Sequence, residues 1–275
     1  MPSPTSINVQ KFARLVWTPR GPAIIDVRTE DDFAADPRLV PGSHWRQFAE
    51  AKTWSTEFAG RSAVVVCQRG MKLSEGAAAW LRHAGAQAES LEGGFEAWRA
   101  AGLPLVPAAK LPPRDEQGRT VWVTRARPKI DRIACPWLIR RFVDPGAVFL
   151  FVAPAEVAAV ADRFGAAPFD IEGVFWSHRG ETCTFDTMVN EFGLATDPLL
   201  RLATIVRGAD TARLDLAPQA AGLLAVSLGL SRLYSDDLAQ LDAAMSAYDA
   251  LYLWCRDAVE EGHNWPSAKN PAKAS

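Results

Sequence analysis

Short apolar runs alternate with helical segments over the first hundred residues, and few folds accommodate that order. The runs "AIIDV" at 23–27 and "AVVV" at 63–66 have the length and the β-branched residues of strands. The second run is followed by "LSEGAAAWLRHAG" at 73–85, whose alanines and leucines favour a helix. Strands that are apolar at every position are typical of parallel sheets covered on both faces. The sequence therefore predicts an α/β fold here, with a parallel sheet flanked by helices.

The chain changes character near residue 107. The stretch "VPAAKLPPRDEQGR" at 106–119 combines prolines with mixed charges, which is typical of a linker. Strand-like runs at 120–124 and 147–152 follow it, and from Asp197 onward the pattern is helical. With 275 residues the chain can form two domains, the second of mixed α+β type and mostly helical towards its C-terminus. The predicted division is a first domain at 1–106, a linker at 107–119, a second domain at 120–260 and a flexible tail at 261–275.

Composition and charge exclude several kinds of partner. The net charge is -2, so the chain has no excess of positive charge with which to bind nucleic acid. The most apolar stretch of the second half, at 220–230, is far shorter than the roughly 20 residues needed to cross a bilayer. The first residues lack the basic and apolar segments of a secretory signal. We therefore expect a cytoplasmic protein with neither membrane nor nucleic acid as a partner.

The four cysteines are widely separated, so they form neither a disulfide framework nor a zinc-binding CxxC pair. Cys135 and Cys255 lie within apolar helical patterns and are predicted to be buried core residues. No cofactor and no metal are assigned from the sequence.

Cys67 occupies the loop between the predicted strand at 63–66 and a helix expected to begin near Ser74. In a parallel sheet this loop lies at the carboxyl end of the strand, where ligands bind. The start of the helix and the cations of Arg69 and Lys72 would favour the nucleophilic thiolate. The pattern indicates a nucleophile, although a cysteine after a valine run is also a common small core residue.

The composition of the same loop indicates what such a nucleophile could act on. Backbone amides and two cations would hold an oxyanion such as thiosulfate, sulfite, phosphate or arsenate, and would stabilise a persulfide on the sulfur. Gly70 keeps the loop compact because it adopts conformations closed to other residues. The expected chemistry is sulfur transfer or oxyanion transfer.

Three segments of the first 106 residues together resemble a rhodanese domain: "IIDVRTEDDFAADPRLVPGSHW", "CQRGMK" and "LEGGFEAWRAAGLPL". The resemblance implies a sulfurtransferase in which Cys67 carries sulfane sulfur from a small-molecule donor such as thiosulfate to cyanide or a thiol. It also implies a substrate-binding loop made of Gln68, Arg69, Gly70, Met71 and Lys72. The related phosphatases and arsenate reductases use a longer loop that ends in arginine, so the six residues of "CQRGMK" favour sulfur transfer.

Other polar residues of the first half have less specific interpretations. Asp26 and Arg28 match the end of a strand in rhodaneses, where an ion pair that braces the strand and a catalytic role are both open. His44 and His83 have no evident partner in the sequence and are expected to be exposed.

The second half resembles the C-terminal domain of bacterial chromate-resistance proteins, through "RPKIDRIACPWLIRRFVD", "FDIEGVFWSHRGETCTFDTMV" and "LYSDDLAQLDAAMSAYDALYLWCRD". The resemblance implies a part in chromate or oxyanion resistance. Some members of that family are regulators of chromate efflux, but they carry a different N-terminal region, so regulation is not carried over to this chain.

Two polar clusters in the second half leave alternatives open. Six cations could form an oxyanion site or a solvated face: Arg125, Arg127, Lys129, Arg132, Arg140 and Arg141. His178, Glu181, Cys183 and Asp186 are metal-ligand residue types, but their spacing is not that of a standard zinc motif, and turn or capping roles also explain them. The hypothesis that competes with sulfur transfer is therefore an oxyanion-binding or metal-binding protein that acts through its second domain.

Overall fold

The first half of the chain is organised around a five-stranded sheet. The computed structural model describes residues 5–262. The helices and strands of this half are β1 (Ser6–Ile7), α1 (Val9–Leu15), β2 (Ala23–Asp26), α2 (Glu30–Ala35), β3 (Arg38–Leu39), β4 (Ser43–Trp45), α3 (Ala51–Trp54), β5 (Ser62–Val66), α4 (Lys72–His83), β6 (Gln87–Leu91), α5 (Gly94–Ala100) and β7 (Val106–Pro107). The main sheet has the order β1-β6-β5-β2-β4 with all strands parallel, and β3 pairs with β7 in an antiparallel ribbon.

Both faces of the main sheet are buried. Ile25 and Val65 pack with Ala77 of α4 in one apolar cluster, whereas Ile24 and Val64 pack in a second cluster with residues of α1 and α5. Successive side chains of a strand point to opposite faces, so a strand with helices on both sides is apolar at every position. The predicted α/β fold with a helix-flanked parallel sheet is confirmed.

The second half combines a small sheet with a group of longer helices. Its elements are β8 (Val121–Arg125), α6 (Asp131–Leu138), β9 (Val148–Val152), α7 (Val157–Phe164), β10 (Ala167–Pro168), α8 (Thr184–Glu191), α9 (Asp197–Asp210), α10 (Gln219–Leu233) and α11 (Asp237–Leu253). The three strands have the order β10-β8-β9 and are parallel. The helical character predicted from Asp197 onward is confirmed. Both sheets therefore have carboxyl edges at which loops can present side chains.

The two halves pack directly on each other. The ring of Trp17 lies 5.1 Å from Phe142 of the second half and 6.0 Å from Trp98 of the first. A Cβ at Gly42 would lie 2.9 Å from the carbonyl oxygen of Arg141, so this approach requires glycine. Lys110, just after the first half, forms an ion pair of 2.6 Å with Glu191 of α8.

Some sequence predictions concern boundaries rather than architecture. The division at 1–106, 107–119 and 120–260 stays a prediction. Of the tail predicted at 261–275, residues 263–275 lie outside the described residues. Among the helices described, none is long and apolar enough to cross a membrane.

Candidate active site and a carboxylate–histidine cluster

Cys67 follows β5 directly and lies at the carboxyl edge of the main sheet, as predicted. Its Sγ accepts a hydrogen bond from the amide of Met71 at 3.3 Å and lies 3.2 Å from Ser74 Oγ. The helix α4 begins at Lys72, two residues earlier than the expected start at Ser74, so the loop is shorter than predicted. Cys67 is 4% exposed and also belongs to an apolar cluster of the core.

Glycines hold the Cys67 loop against the segment that precedes α5. Gly70 and Gly94 have φ angles of 67° and 59°, in the left-handed region. A Cβ at Gly70 would lie 2.3 Å from Leu91 O, and one at Gly94 would lie 2.1 Å from Cys67 O. The amide of Phe95 donates to Cys67 O at 2.9 Å across the same contact. The sequence indicated that Gly70 keeps the loop compact; the structure shows that Gly94 lies against the loop as well.

A pocket of about 510 Å³ opens beside the loop. It is lined by Asp32, Cys67, Gln68, Arg69, Met71, Lys72, Leu73 and Glu96. Four of the five predicted substrate-binding residues therefore line the pocket. The fifth, Gly70, does not line it and packs against the backbone of Leu91 and Gly93.

The pocket carries charges of both signs and unused backbone donors. Arg69 is largely exposed and lies 3.5 Å from Glu96, which also accepts a hydrogen bond from the side-chain amide of Gln68 at 3.1 Å. Asp32 and Glu96 were missed by sequence reasoning because they belong to α2 and α5, far from the loop in the chain. Within residues 5–262, the backbone amides of Gln68, Arg69 and Gly70 donate to no protein acceptor. Gln68 and Arg69 line the pocket, whereas Gly70 does not, and its amide nitrogen lies against Gly94.

Asp26 and Arg28 form a buried ion pair. The guanidinium of Arg28 donates to Asp26 at 2.7 and 2.9 Å and to the carbonyl oxygens of Asp36 and Arg38. It also lies 3.9 Å from the centre of the Phe95 ring. Both side chains are fully buried, so of the two open interpretations the structure favours the ion pair that braces the strand end.

His44 is not the exposed residue that the sequence suggested, whereas His83 is exposed. His44 lies between the two halves, in a pocket of about 700 Å³ that is also lined by Arg46, Arg114 and Asp144. Burial lowers the pKa of His44 from its usual 6.5 to about 4, although Asp144 acts in the opposite direction. The imidazole is therefore neutral in the folded protein near neutral pH.

We expect acid to weaken this protein through His44. Its folded pKa lies below its unfolded value, so the contribution is fully present above pH 6.5 and is lost as the pH falls towards 4. The difference corresponds to at most about 3 kcal/mol, because part of the ring remains in contact with water. Urea unfolding at several pH values should show a flatter dependence for His44→Gln than for the wild type. Equal slopes, or the same flattening in His83→Gln, would contradict this.

The six cations of the second half do not gather as a free basic surface. Arg125 and Arg132 bind Asp170, Arg140 binds Asp242 and Arg141 binds Asp249. Arg127 donates to carbonyl oxygens at the end of α10. Among the described residues, Lys129 is the one of the six whose side chain has no hydrogen bond or ion pair. The arrangement does not support an oxyanion site here.

A different polar cluster lies at the carboxyl edge of the small sheet. His178 Nε2 lies 3.3 Å from Asp170 Oδ1, 3.3 Å from Asp210 Oδ2 and 3.5 Å from Asp131 Oδ2. Asp131 is the first residue of α6, Asp170 follows β10 and Asp210 ends α9. His178 lies in the loop before α8, with its side chain 40% exposed, whereas the Asp131 side chain is fully buried.

The electrostatics of this carboxylate–histidine cluster follow from burial and from the closeness of like charges. Burial, together with the carboxylates of Asp210 and Asp170, raises the pKa of Asp131 well above its usual value. Contacts with the carboxylates of Asp170 and Asp210 raise the pKa of His178 to about 10. Burial would raise the pKa of Asp170, but His178, Thr184 and Arg132 together lower it. Arg125 and Arg132 also bind Asp170, so the cluster combines three carboxyl groups with one imidazole and two guanidinium groups.

The predicted group of His178, Glu181, Cys183 and Asp186 does not come together. Glu181 is exposed. Asp186 accepts from the Cys183 amide as part of the cap of α8 and binds Arg207 at 2.7 Å. Cys183 is fully buried, which raises the pKa of its thiol. His178 alone joins the observed cluster, and its partners were missed because no fixed spacing links them. Cys135 and Cys255 are fully buried, as predicted.

Backbone strain surrounds the carboxylate–histidine cluster. Five described residues other than glycine have positive φ angles, and three of them are Arg127, Ile130 and Asp170. Ile130, with φ 35° and ψ -97°, directly precedes Asp131. Unfavourable backbone conformations are concentrated at functional sites in proteins. Two of these three residues, Ile130 and Asp170, lie within or next to the cluster.

The fold and the Cys67 loop define a rhodanese-like α/β domain, and comparison with known families agrees. Residues 8–101 match the family model of the rhodanese-like domain, and residues 122–255 match that of the ChrB C-terminal domain. The chain thus contains a rhodanese-like domain followed by a ChrB C-terminal domain, and both resemblances seen in the sequence are confirmed.

Individual relatives cover parts of the chain. Protein ChrB of Cupriavidus metallidurans is 37% identical over 155 residues, which are 55% of this chain and 46% of that protein. The chain therefore spans about half the length of that relative. A rhodanese-related protein of Thermoplasma volcanium is 22% identical, with 37% of this chain and 96% of that chain covered and a TM-score of 0.30. A human single-domain sulfurtransferase is 18% identical, with 36% of this chain and 97% of that chain covered and a TM-score of 0.31.

Proposed function

We propose that this protein is a sulfurtransferase of the rhodanese type, with Cys67 as the residue that carries the sulfur. The observation that supports this most directly is that Cys67 lines a pocket and that its Sγ accepts the amide hydrogen of Met71 just before α4 begins. A hydrogen-bond donor and a helix N-terminus at this point both favour negative charge on sulfur. The proposal assigns catalysis to Cys67 and substrate binding to Gln68, Arg69, Gly70, Met71 and Lys72.

The proposed reaction has two steps. The Cys67 thiolate attacks the outer sulfur of a donor such as thiosulfate, the S–S bond of the donor breaks, and sulfite leaves with the electron pair. The resulting Cys67 persulfide is then attacked at its terminal sulfur by cyanide or an acceptor thiol, which restores the thiolate. The free loop amides and the side chains of Arg69 and Lys72 would hold the anionic donor. No redox partner is needed for transfer to cyanide.

The proposed setting is the cytoplasm, in resistance to chromate or another oxyanion. The resemblance of the second half to chromate-resistance proteins is the reason for the second part of this proposal. The four cysteines are free, which suits a reducing compartment.

Labelling with a sulfur donor tests the proposal. After incubation of the full chain with thiosulfate, intact-mass analysis is expected to show one added sulfur atom, which peptide mapping assigns to Cys67. Cyanide should remove this sulfur and release thiocyanate. Cys135, Cys183 and Cys255 serve as internal controls because they are buried away from the pocket. If no sulfur is added, or if it maps to one of these three, the assignment fails.

The same pocket would serve the rival chemistry of phosphatases and arsenate reductases. Only four residues separate Cys67 from the first residue of α4, a short loop for cradling a tetrahedral oxyanion. Turnover of an aryl phosphate or of arsenate without sulfur transfer would favour the rival.

A further inference from the structure

We propose that the carboxylate–histidine cluster is a binding site for a divalent first-row metal ion, with Asp131, Asp170 and His178 as ligands. Each of these three residues offers one ligand atom within 4.8 Å of the others. The site belongs to the second half of the chain and is independent of the proposed sulfur transfer at Cys67.

The contacts of His178 are difficult to explain by hydrogen bonding alone. Its Nε2 can carry a single hydrogen, yet oxygens of three carboxylates lie 3.3 to 3.5 Å from that one atom. A hydrogen bond between a protonated imidazole and a carboxylate is normally about 2.7–2.9 Å long. None of the three distances reaches that range. The nitrogen and the oxygens instead surround a common space.

The separations suit a shared cation. First-row divalent ions lie about 2.0–2.2 Å from nitrogen and oxygen ligands, so neighbouring ligand atoms around such an ion are roughly 3.0–3.6 Å apart. The distances from His178 Nε2 to the oxygens of Asp170, Asp210 and Asp131 fall within that interval. These nitrogen-to-oxygen distances are therefore compatible with ligands that share one ion.

Asp131 provides a second and independent reason to place a metal ion in this cluster. Its side chain is fully buried, Oδ2 accepts the amide of Thr184 at 2.6 Å, and Oδ1 has no hydrogen-bond partner among the described residues. A buried carboxylate oxygen without a partner is energetically costly. A cation bound to this carboxylate would offset that cost.

The chemistry of the donors limits the kind of ion. One imidazole nitrogen with carboxylate oxygens suits Mn²⁺, Fe²⁺ or Zn²⁺ better than soft ions, which prefer thiolates. The ion could enter from solvent, because a pocket of about 660 Å³ reaches Asp170 and His178. Arg125 and Arg132, which bind Asp170 from the other side, would orient that carboxylate.

Titration of the purified full chain with Mn²⁺, after treatment with a chelator, tests the proposal. Electron paramagnetic resonance of free Mn²⁺ should show one saturable site per chain, and Zn²⁺ should displace the Mn²⁺. Mn²⁺ is chosen because cysteine thiols bind it poorly. Asp131→Asn and His178→Ala are each expected to weaken binding by at least about 100-fold. Asp131→Asn keeps the volume and removes a buried charge, so it is expected to fold.

Matched controls separate this site from adventitious binding. Glu181→Gln removes an exposed carboxylate three residues from His178 and should leave Mn²⁺ affinity unchanged. Circular dichroism and thermal unfolding verify the fold of each variant, and Mn²⁺ should raise the unfolding temperature of the wild type but not of Asp131→Asn. The absence of saturable binding of both Mn²⁺ and Zn²⁺, or binding that survives in folded Asp131→Asn and His178→Ala, would overturn the proposal.

Discussion

Cys67→Ser is expected to lower kcat/KM for sulfur transfer from thiosulfate to cyanide by at least about 1,000-fold. A serine hydroxyl is a much weaker nucleophile than a thiolate, and it cannot carry a persulfide. The hydroxyl is close to the thiol in size and can still accept the amide hydrogen of Met71, so the loop should keep its conformation. Steady-state formation of thiocyanate measures the effect directly.

The control for this prediction is a cysteine outside the pocket. Cys255 is fully buried in the core of the second half, and burial raises its pKa to about 11. Cys255→Ala should therefore keep transfer within a few-fold of the wild type, even if it costs some stability. Transfer that persists in Cys67→Ser but falls in Cys255→Ala would mean that the wrong thiol has been assigned.

Gly94→Ala is expected to remove most activity without changing any residue that contacts the substrate. The new Cβ would lie 2.1 Å from Cys67 O, 2.5 Å from the Gly70 amide nitrogen and 2.9 Å from the Arg69 amide nitrogen. All three are backbone atoms, so the loop itself has to move. Misplacement of a reacting group by about 1 Å can cost about 100-fold in rate. We therefore expect kcat/KM to fall by about 100-fold.

The same substitution should also destabilise the fold. Alanine at a φ of 59° is strained, and the clash adds to this, so we expect a loss of about 2–4 kcal/mol in the free energy of unfolding. Gly76→Ala is the matched control, because Gly76 lies in α4 with no atom within 4 Å of the added Cβ. That change should stabilise the helix by up to about 1 kcal/mol and leave transfer intact. Wild-type kinetics in Gly94→Ala would show that the loop tolerates displacement.

The two proposed sites occupy equivalent places in their sheets. Cys67 follows β5 of the five-stranded sheet, and Asp170 follows β10 of the three-stranded sheet. The loops at the carboxyl ends of parallel strands face away from the covering helices and meet at one edge, which is why ligands bind there. The sequence predicted that the second half is a mixed α+β domain. Because the three strands of its sheet are parallel, their carboxyl ends lie at one edge, and the carboxylate–histidine cluster lies at that edge.

The sequence by itself determined the architecture of the first half and the position of Cys67. Apolar runs such as 63–66 and the adjoining helical pattern are local signals, because a strand buried on both faces must be apolar throughout. The loop that joins them is contiguous in the chain, so its cysteine, glycine and cations could be recognised together.

Only the tertiary structure decided which charged side chains are paired within the protein and which can bind a ligand. A catalytic role for Arg28 was open from the sequence, but the structure shows Arg28 paired with Asp26. Most of the cations at 125–141 are likewise paired with carboxylates, so they do not form an anion site. Three carboxylates lie close to His178, and they come from separate parts of the chain: Asp131, Asp170 and Asp210. No fixed spacing in the sequence predicts that they are close together. Coulomb interactions and metal coordination depend on distances in space, whereas a sequence reports only distances along the chain.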